Sequence, residues 1–203
     1  MRRRGLQYHR RPPWLDSWFW SSTLSCIEDL RFEGGTMRRS FPLSAFRCAL
    51  MLRIVSICTC CLPEIYANSM LLFPQLKKLM LYDVYICKAA NIDRLLTRCI
   101  ALEGLHLEGV HGFSNLSIAM PNHRTIGVAS YWKRNTIKLI RLNVLQIMDA
   151  SCLERLVICV QNGPRLIKVV NAPKLTVLGF ASDPGCQLVI GPISFLVEQL
   201  YSC

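Results

Sequence analysis

The sequence is poor in acidic residues and lacks the short motifs that mark common catalytic sites. It has 13 Asp and Glu against 24 Lys and Arg, which gives a formal net charge of +11. The phosphate loop G-x-x-x-x-G-K-[ST], a G-x-G-x-x-G turn, a G-x-S-x-G elbow and an H-E-x-x-H zinc motif are all missing. The sequence therefore predicts a protein that is not an enzyme, with no catalytic residues and no cofactor.

No apolar run is long enough to span a membrane or to act as a secretory signal. The most apolar stretch, residues 41–65, is interrupted by Arg47 and Arg53, whereas a spanning helix needs about 18 or more apolar residues with few or no charges. The basic residues 2–11 are followed by prolines and not by an apolar run. We therefore expect no membrane contact and a cytoplasmic or nuclear location.

Disulfides are not expected, although cysteine is abundant. The 11 Cys are odd in number, so in the absence of a visible secretory signal we expect free, mostly buried thiols in a reducing compartment. The tightest group is Cys58, Cys60 and Cys61. Because it lacks the two-residue gap of a zinc knuckle and has no neighbouring His, we favour a buried cluster over a metal site.

The positive charge is concentrated at the start of the chain. Residues 1–13 contain no acid, and their five cations are Arg2, Arg3, Arg4, Arg10 and Arg11. Without these five charges the net charge falls from +11 to +6, so the remaining domain, residues 14–203, is only mildly basic and is not expected to bind nucleic acid. Residues 1–13 are interpreted as an unordered leader; the alternative is a nuclear-localisation or RNA-contacting arm.

Aromatic residues dominate the segment that follows the leader. Trp14, Trp18, Phe19 and Trp20 lie close together in the sequence, and side chains of this size are usually buried. We expect them to pack on the first repeat; an exposed aromatic patch would instead mark a partner surface.

A repeated L-x-x-L-x-L pattern is the most specific signal in the sequence. The chain is 52% hydrophobic and 18% charged, as expected for a folded domain. The pattern occurs as Ile27-x-x-Leu30-x-Phe32, Leu52-x-x-Val55-x-Ile57, Leu76-x-x-Leu79-x-Leu81 and Leu102-x-x-Leu105-x-Leu107. The starts of these units recur with a nearly constant spacing of about 25 residues, within the period of about 20 to 29 residues that leucine-rich repeats have.

The repeat defines the expected fold. A return helix is predicted at residues 91–100, with Asn91 as its N-cap. A strand and a helix in each repeat close a coil of the horseshoe type. The predicted fold is therefore an α/β, leucine-rich-repeat-like solenoid with parallel strands on a concave face and short helices on the convex side.

After Gly112 the repeats become shorter and richer in strands. Residues 14–112 are interpreted as repeats of about 25 residues, and residues 113–203 as shorter strand repeats. Two of the latter share the dipeptides Asp149-Ala150 and Asn171-Ala172 at a spacing of about 22 residues. His123 occupies a place where an aliphatic residue is expected, so local irregularity is predicted there. Residues 131–135 are interpreted as an exposed loop, and residues 186–196 as a final buried strand.

A partner of such a solenoid would meet the side chains that alternate with the buried ones. In the first, third and fourth units these are Asp29, Arg31, Glu33, Lys78, Met80, Tyr82, Gly104, His106 and Glu108. The candidate partner-binding residues are Arg31, Lys78, Tyr82, His106 and Glu108; the alternative is that they are ordinary solvated residues. Mixed charge with aromatic groups favours a protein partner over a phosphate backbone.

A metal site at the histidines is not expected. His106 and His111 could in principle share a ligand site with Cys99, but the repeat places His106 on the strand face and His111 in a glycine-flanked turn. The sequence therefore predicts no metal.

Four segments, residues 95–99, 102–109, 149–156 and 171–179, resemble the plant F-box/leucine-rich-repeat family with an FBD-type C-terminal region, particularly as it occurs in grasses. The resemblance covers about residues 14–195. It implies that the repeats recruit a target protein, while an N-terminal F-box binds the Skp1-type adaptor of a cullin-based, SCF-type ubiquitin ligase. Nothing before Trp14 could supply an F-box, which counts against adaptor binding.

The resulting expectation is a monomeric, non-enzymatic protein-interaction module whose target the sequence does not name. Two alternatives stay open. The first is a nucleic-acid-associated protein that uses its arginine-rich arm, which should lose nucleic acid when residues 1–13 are deleted. The second is a truncated relic without a partner, which should be insoluble or partly unfolded on expression.

Overall fold

Fourteen strands and two short helices are found in the described part of the chain. The computed structural model describes residues 17, 19–21, 24, 26–35, 38–65, 72–119, 122–130, 142–161, 164–182 and 185–196. The strands are β1 (Asp29–Glu33), β2 (Ile54–Cys58), β3 (Cys61–Leu62), β4 (Lys78–Tyr82), β5 (Tyr85–Ile86), β6 (Gly104–Glu108), β7 (Asn115–Ala119), β8 (Thr125–Ser130), β9 (Val144–Met148), β10 (Arg155–Val160), β11 (Leu166–Val169), β12 (Val177–Ser182), β13 (Gln187–Ile190) and β14 (Ile193–Leu196). The helices are the 3-10 helix η1 (Leu43–Cys48) and the α-helix α1 (Ala89–Thr97).

The strands form two main sheets. One is a seven-stranded parallel sheet in the order β1-β2-β4-β6-β8-β10-β12, here called the front sheet. The other, the back sheet, has five strands in the order β7-β9-β11-β13-β14. Front and back strands alternate along the second half of the chain, while β3 pairs with β5 behind the first half. Each turn of the chain therefore adds one rung to a solenoid, which confirms the predicted fold class.

The first four front strands follow the predicted repeats. β1, β2, β4 and β6 begin at positions 29, 54, 78 and 104, just after the start of each L-x-x-L-x-L unit. The second and third apolar residues of each unit point inward, as Leu79 (1% exposed) and Leu81 (0%) do in β4. Alternation on a half-buried strand thus accounts for the spacing of the motif.

The return helix is confirmed, but its predicted N-cap is wrong. α1 begins at Ala89 after an N-cap at Lys88, and Asn91 lies inside the helix with its side chain fully buried. The amide Nδ2 of Asn91 contacts the Cys87 sulfur at 3.5 Å. The apolar spacing located the helix correctly, since Ile92, Leu95 and Leu96 are buried.

The second half is strand-dominated, as predicted. Asp149 and Asn171 are equivalent residues of neighbouring turns, and both adopt the left-handed backbone region, with φ of 52° and 55°. Asn and Asp tolerate this conformation better than other non-glycine residues, so the repeated dipeptide reflects a repeated turn.

The segment predicted as one final strand is instead an antiparallel hairpin, β13 and β14, which turns at Gly191. A glycine and a proline between two short apolar runs favour such a turn.

His123 does not disturb the fifth unit. Its side chain is 2% exposed, and β8, which follows it, pairs in parallel with both β6 and β10. β8 itself is therefore regular, while residues 120 and 121, just before His123, lie outside the described part of the chain. Residues 131–135 lie outside the described part of the chain.

The predicted aromatic core at the start of the domain forms only in part. Phe19 is buried, whereas Trp20 is 65% exposed and carries the guanidinium of Arg47 at 3.8 Å from its ring centroid. Trp14 and Trp18 lie outside the described residues, as do residues 1–13. Deeper in the core, edge and tilted ring contacts link Phe32, Phe41, Phe46 and Phe73, with centroids 5.2 to 5.8 Å apart.

The described cysteines are free thiols. Burial, reinforced by the neighbouring Cys61 and Cys58, raises the pKa of Cys60 to about 12, and burial raises the pKa of Cys99 to about 12. These two side chains therefore behave as small apolar groups at neutral pH.

Within the described residues no cluster of His, Cys, Asp and Glu has the arrangement of a metal site. No helix in the described part of the chain is both long enough and apolar enough to cross a membrane.

Candidate functional site

The outward side chains of the front sheet form three rows, because neighbouring strands pair in parallel register. The middle row consists of Arg31, Ser56, Met80, His106, Gly127, Val157 and Gly179. The row at the carboxyl ends of the strands consists of Glu33, Cys58, Tyr82, Glu108, Ala129, Cys159 and Ala181. The first four strands carry mostly polar, charged and aromatic groups in these two rows, while the last three carry mostly small or apolar ones.

Three candidate residues meet at the centre of this face. The ring centroids of Tyr82 and His106 lie 5.3 Å apart. The imidazole Nε2 of His106 is 3.2 Å from a carboxylate oxygen of Glu108 on the same strand. We refer to Tyr82, His106 and Glu108 as the central cluster. Its members come from the adjacent strands β4 and β6, which explains why side chains from two different repeats touch.

The absence of a side chain at Gly127 makes room for His106. A Cβ atom at Gly127 would lie only 2.5 Å from the imidazole Nδ1 of His106. Any residue other than glycine would therefore have to push the imidazole away. The imidazole leans toward β8, into the space that a side chain at residue 127 would fill. The glycine at this position therefore allows the observed position of His106.

The central cluster is half-buried, and the charge of one member affects the pKa of another. Partial burial, followed by the charge of Glu108, raises the pKa of the Tyr82 hydroxyl. The phenol is therefore a hydrogen-bond donor over the whole physiological range. An ionised carboxylate only accepts hydrogen bonds, so in the contact with Glu108 the donor is Nε2 of His106. The cluster can thus offer a phenol donor, a carboxylate and an aromatic surface within one small area.

Arg31 and Lys78 lie away from the central cluster. Arg31 is three strands from His106, about 14 Å at the usual strand spacing, and its exposed guanidinium is 3.6 Å from the Asp29 carboxylate. Lys78 is at the opposite end of β4 from Tyr82, where its aliphatic stem lies over Gly104. The structure therefore brings together three of the five candidate residues and not the other two.

Gly127 and Met80 complete the site, and neither was among the five candidates. Met80 lies beside His106 in the middle row. The signal for Gly127 was present in the sequence, because an isolated glycine between Ile126 and Val128 indicates a close approach within a strand. What the close approach involves could be learned only from the register.

A second polar network lies at the adjoining rim, where the front strands end. Arg38 donates to the Asp83 carboxylate at 2.9 Å and contacts His111 Nε2 at 2.5 Å, while His111 Nδ1 donates to the Gly109 carbonyl at 2.8 Å. Because arginine can only donate, Nε2 of His111 is an acceptor. His111 thus belongs to this rim network, and His106 to the central cluster.

Charge is distributed unevenly between the two halves of the domain. Residues 113–203 contain nine Lys and Arg but only four Asp and Glu, a net charge of +5. Residues 12–112 contain ten Lys and Arg and nine Asp and Glu, a net charge of +1. The domain therefore has a nearly neutral first half and a basic second half. The central cluster lies in the first half.

Comparison with known proteins identifies one family. The family model described as "FBD-associated F-box protein At5g56370, LRR repeats" matches residues 15–202. Searches of curated proteins and of solved structures gave no significant match. The matched span includes every strand and both helices, and leucine-rich-repeat solenoids generally serve as interaction modules. The register, the repeat and the match agree that this chain belongs to the leucine-rich-repeat family of FBD-associated F-box proteins.

Proposed function

We propose that this chain recruits a protein target through the front sheet, as the substrate-binding repeats of an F-box protein in an SCF-type ubiquitin ligase. The proposal assigns no chemical step to the chain. The recruiting role is given to the repeats alone, because the matched family model describes the repeats, and contact with the Skp1-type adaptor is a property of F-boxes. We place this activity in the cytoplasm or the nucleus, with the chain acting as a monomer.

The central cluster is the observation that carries the proposal. Interface hot spots are typically formed by aromatic and hydrogen-bonding side chains that are partly desolvated and held in place. Tyr82, His106 and Glu108 meet these conditions, since His106 is fixed between the Tyr82 ring, the Glu108 carboxylate and the Gly127 backbone. Arg31 and Lys78 are proposed as outlying contacts that steer the partner.

Affinity capture with matched variants tests the proposal. Full-length chain is immobilised and exposed to plant extract, and the bound proteins are identified and probed for the Skp1-type adaptor. The variants are Tyr82→Ala and Glu108→Gln, and the control is Lys168→Ala, whose exposed side chain lies on the back sheet. We expect the central-cluster variants to lose a target that wild type and control retain, by about tenfold or more for a hot-spot residue.

Two results would contradict the proposal. One is a target retained equally by all variants, which would place the binding surface elsewhere. The other is a soluble, folded chain that captures no target at all.

A further inference from the structure

The two edges of the front sheet differ sharply in chemistry. The edge strand β1 has the sequence Asp-Leu-Arg-Phe-Glu, with three charged residues out of five. The opposite edge strand, β12, has the sequence Val-Leu-Gly-Phe-Ala-Ser, with no charge and no proline over its length. Soluble proteins keep edge strands from pairing by means of charges, prolines or short length. β1 is protected in this way and β12 is not.

The backbone of β12 is available for pairing on its outer side. The N–H of Val177 donates to the Glu154 carbonyl toward β10 at 3.0 Å. Because alternate residues of a parallel strand point to opposite neighbours, the peptide groups of Leu178 and Phe180 face away from β10. In the described chain no strand pairs with that side. Leu178 is 44% exposed, although its counterpart one rung earlier, Leu156, is fully buried.

At the β12 end of the solenoid the back sheet extends beyond the front sheet. The space that this leaves beside β12 is here called the step. In chain order β12 lies between β11 and β13, and the back sheet continues past this point with β13 and β14. At a strand spacing of about 4.8 Å, the front sheet ends one to two strands, about 5 to 10 Å, before the back sheet at this end of the solenoid. The space beside β12 is therefore wide enough for one strand, which would lie on the β13–β14 hairpin.

A second copy of the chain cannot fill this space symmetrically. If two β12 strands paired across a twofold axis, the partner's β12 would occupy the space beside this β12, and the partner's own back strands would lie behind it. That position is already taken by the β13–β14 hairpin. The step thus excludes a symmetric sheet-to-sheet dimer but admits an extended segment.

The charges beside the step indicate the chemistry of that segment. Arg155 is the direct neighbour of Val177 across the β10–β12 pair, and Lys174 lies shortly before β12. Within the described chain neither side chain has an ion pair with an acidic residue, and residues 113–203 carry a net charge of +5. We propose that the outer edge of β12 binds an extended segment of a partner protein as an added strand, with apolar side chains at alternate positions and acidic residues at the end nearest Lys174 and Arg155.

This binding mode is independent of the central cluster and uses different groups. The partner strand would hydrogen-bond to the peptide groups of Leu178 and Phe180, while its inward side chains would cover the exposed Leu178. Addition of a strand to a free sheet edge is an established mode of peptide recognition, in which main-chain bonds give affinity and alternate side chains give specificity.

Fluorescence anisotropy with a defined peptide tests the proposal. The probe is a labelled peptide of two Glu followed by three Val-Thr pairs, titrated with the full chain. Two further peptides serve as controls, one with Lys in place of Glu and one with N-methyl groups on alternate peptide bonds. We expect saturable binding of the first peptide, about tenfold weaker binding of the Lys peptide at low salt, and no binding of the N-methylated peptide.

Protein variants locate the binding edge. Leu178→Lys adds the kind of charge that protects natural edges, and Phe180→Pro removes an outward N–H without breaking a bond to β10. Both should weaken binding by about tenfold or more while Phe180→Leu and Tyr82→Ala leave it unchanged. Circular dichroism shows whether each variant is folded.

Three results would each overturn the proposal: absence of saturable binding to wild type, equal binding of the N-methylated peptide, or unchanged binding by folded Leu178→Lys. Loss of binding in Tyr82→Ala would instead implicate the central cluster.

Discussion

At the scale of single residues, one missing side chain determines the shape of the candidate site. Gly127 faces His106, and Gly104 faces Lys78 in a similar position one strand away. A Cβ atom at Gly104 would have its nearest neighbour, Lys78 Cγ, at 3.6 Å, which is an ordinary van der Waals contact. The same atom at Gly127 would lie 2.5 Å from a ring nitrogen. The two glycines therefore form a matched pair for testing whether the space beside His106 is needed.

Gly127→Ala is expected to lower the free energy of unfolding by about 1 to 3 kcal/mol, the usual cost of overpacking, or to displace His106 from Glu108. Gly104→Ala is expected to be neutral or to stabilise the fold by about 0.5 kcal/mol, because it restricts the unfolded chain without a clash. Urea denaturation of both variants measures the difference. Equal stability of the two variants, with His106 still bonded to Glu108, would show that the close approach has no energetic consequence.

At the scale of elements, the front strands are aligned by contacts at both of their ends. The residues just before the strands form exposed ion pairs between neighbours: Glu28 with Arg53, Lys77 with Glu103 and Arg124 with Glu154, at 3.0 to 3.4 Å. Exposed pairs of this kind contribute little stability each, but like charges in their place would oppose the observed register. The half-buried network of Arg38, Asp83 and His111 joins the first, third and fourth turns at the other end.

Arg38→Ala is expected to destabilise the fold by about 1.5 to 3 kcal/mol, since it removes two charge-assisted contacts and leaves Asp83 and His111 with fewer partners. The neighbouring Arg39 is exposed, and Arg39→Ala should change stability by no more than about 0.5 kcal/mol. Thermal unfolding followed by circular dichroism compares the two. Similar unfolding temperatures would mean that the rim network does not hold the turns together.

The elements also show which parts of the structure the sequence could predict. The four L-x-x-L-x-L units predicted the first front strands because a two-residue alternation within a fixed repeat leaves few other solutions. The N-cap of α1 was predicted incorrectly, since Asn91 satisfies the usual preference for a cap but lies inside the helix with its side chain buried. The β13–β14 hairpin was missed because a short apolar run with one interruption fits either one strand or two. Contacts such as that of Gly127 with His106 depend on register between repeats, and no single repeat encodes them.

At the scale of the whole molecule, the solenoid separates two surfaces of different chemistry. The first half is nearly neutral and presents the central cluster on the front sheet. The second half is basic and ends in an uncharged edge strand beside a step in the back sheet. A repeat protein can combine such surfaces because each turn contacts only its neighbours, so one end can vary without altering the other. Leucine-rich-repeat solenoids generally serve as interaction modules, and the central cluster is the part of the front sheet best suited to binding a partner.

Site-specific photo-crosslinking tests the central claim most directly. A photoreactive phenylalanine analogue is placed at Met80, in the middle of the front sheet beside His106, or at Ser117, which is exposed on the back sheet. Each full-length chain is irradiated in plant extract, and the adducts are identified by mass spectrometry. We predict one specific protein adduct from position 80 that is lost on adding Glu108→Gln, and no such adduct from position 117. The same adduct from both positions, or an adduct from position 117 alone, would contradict recruitment through the central cluster.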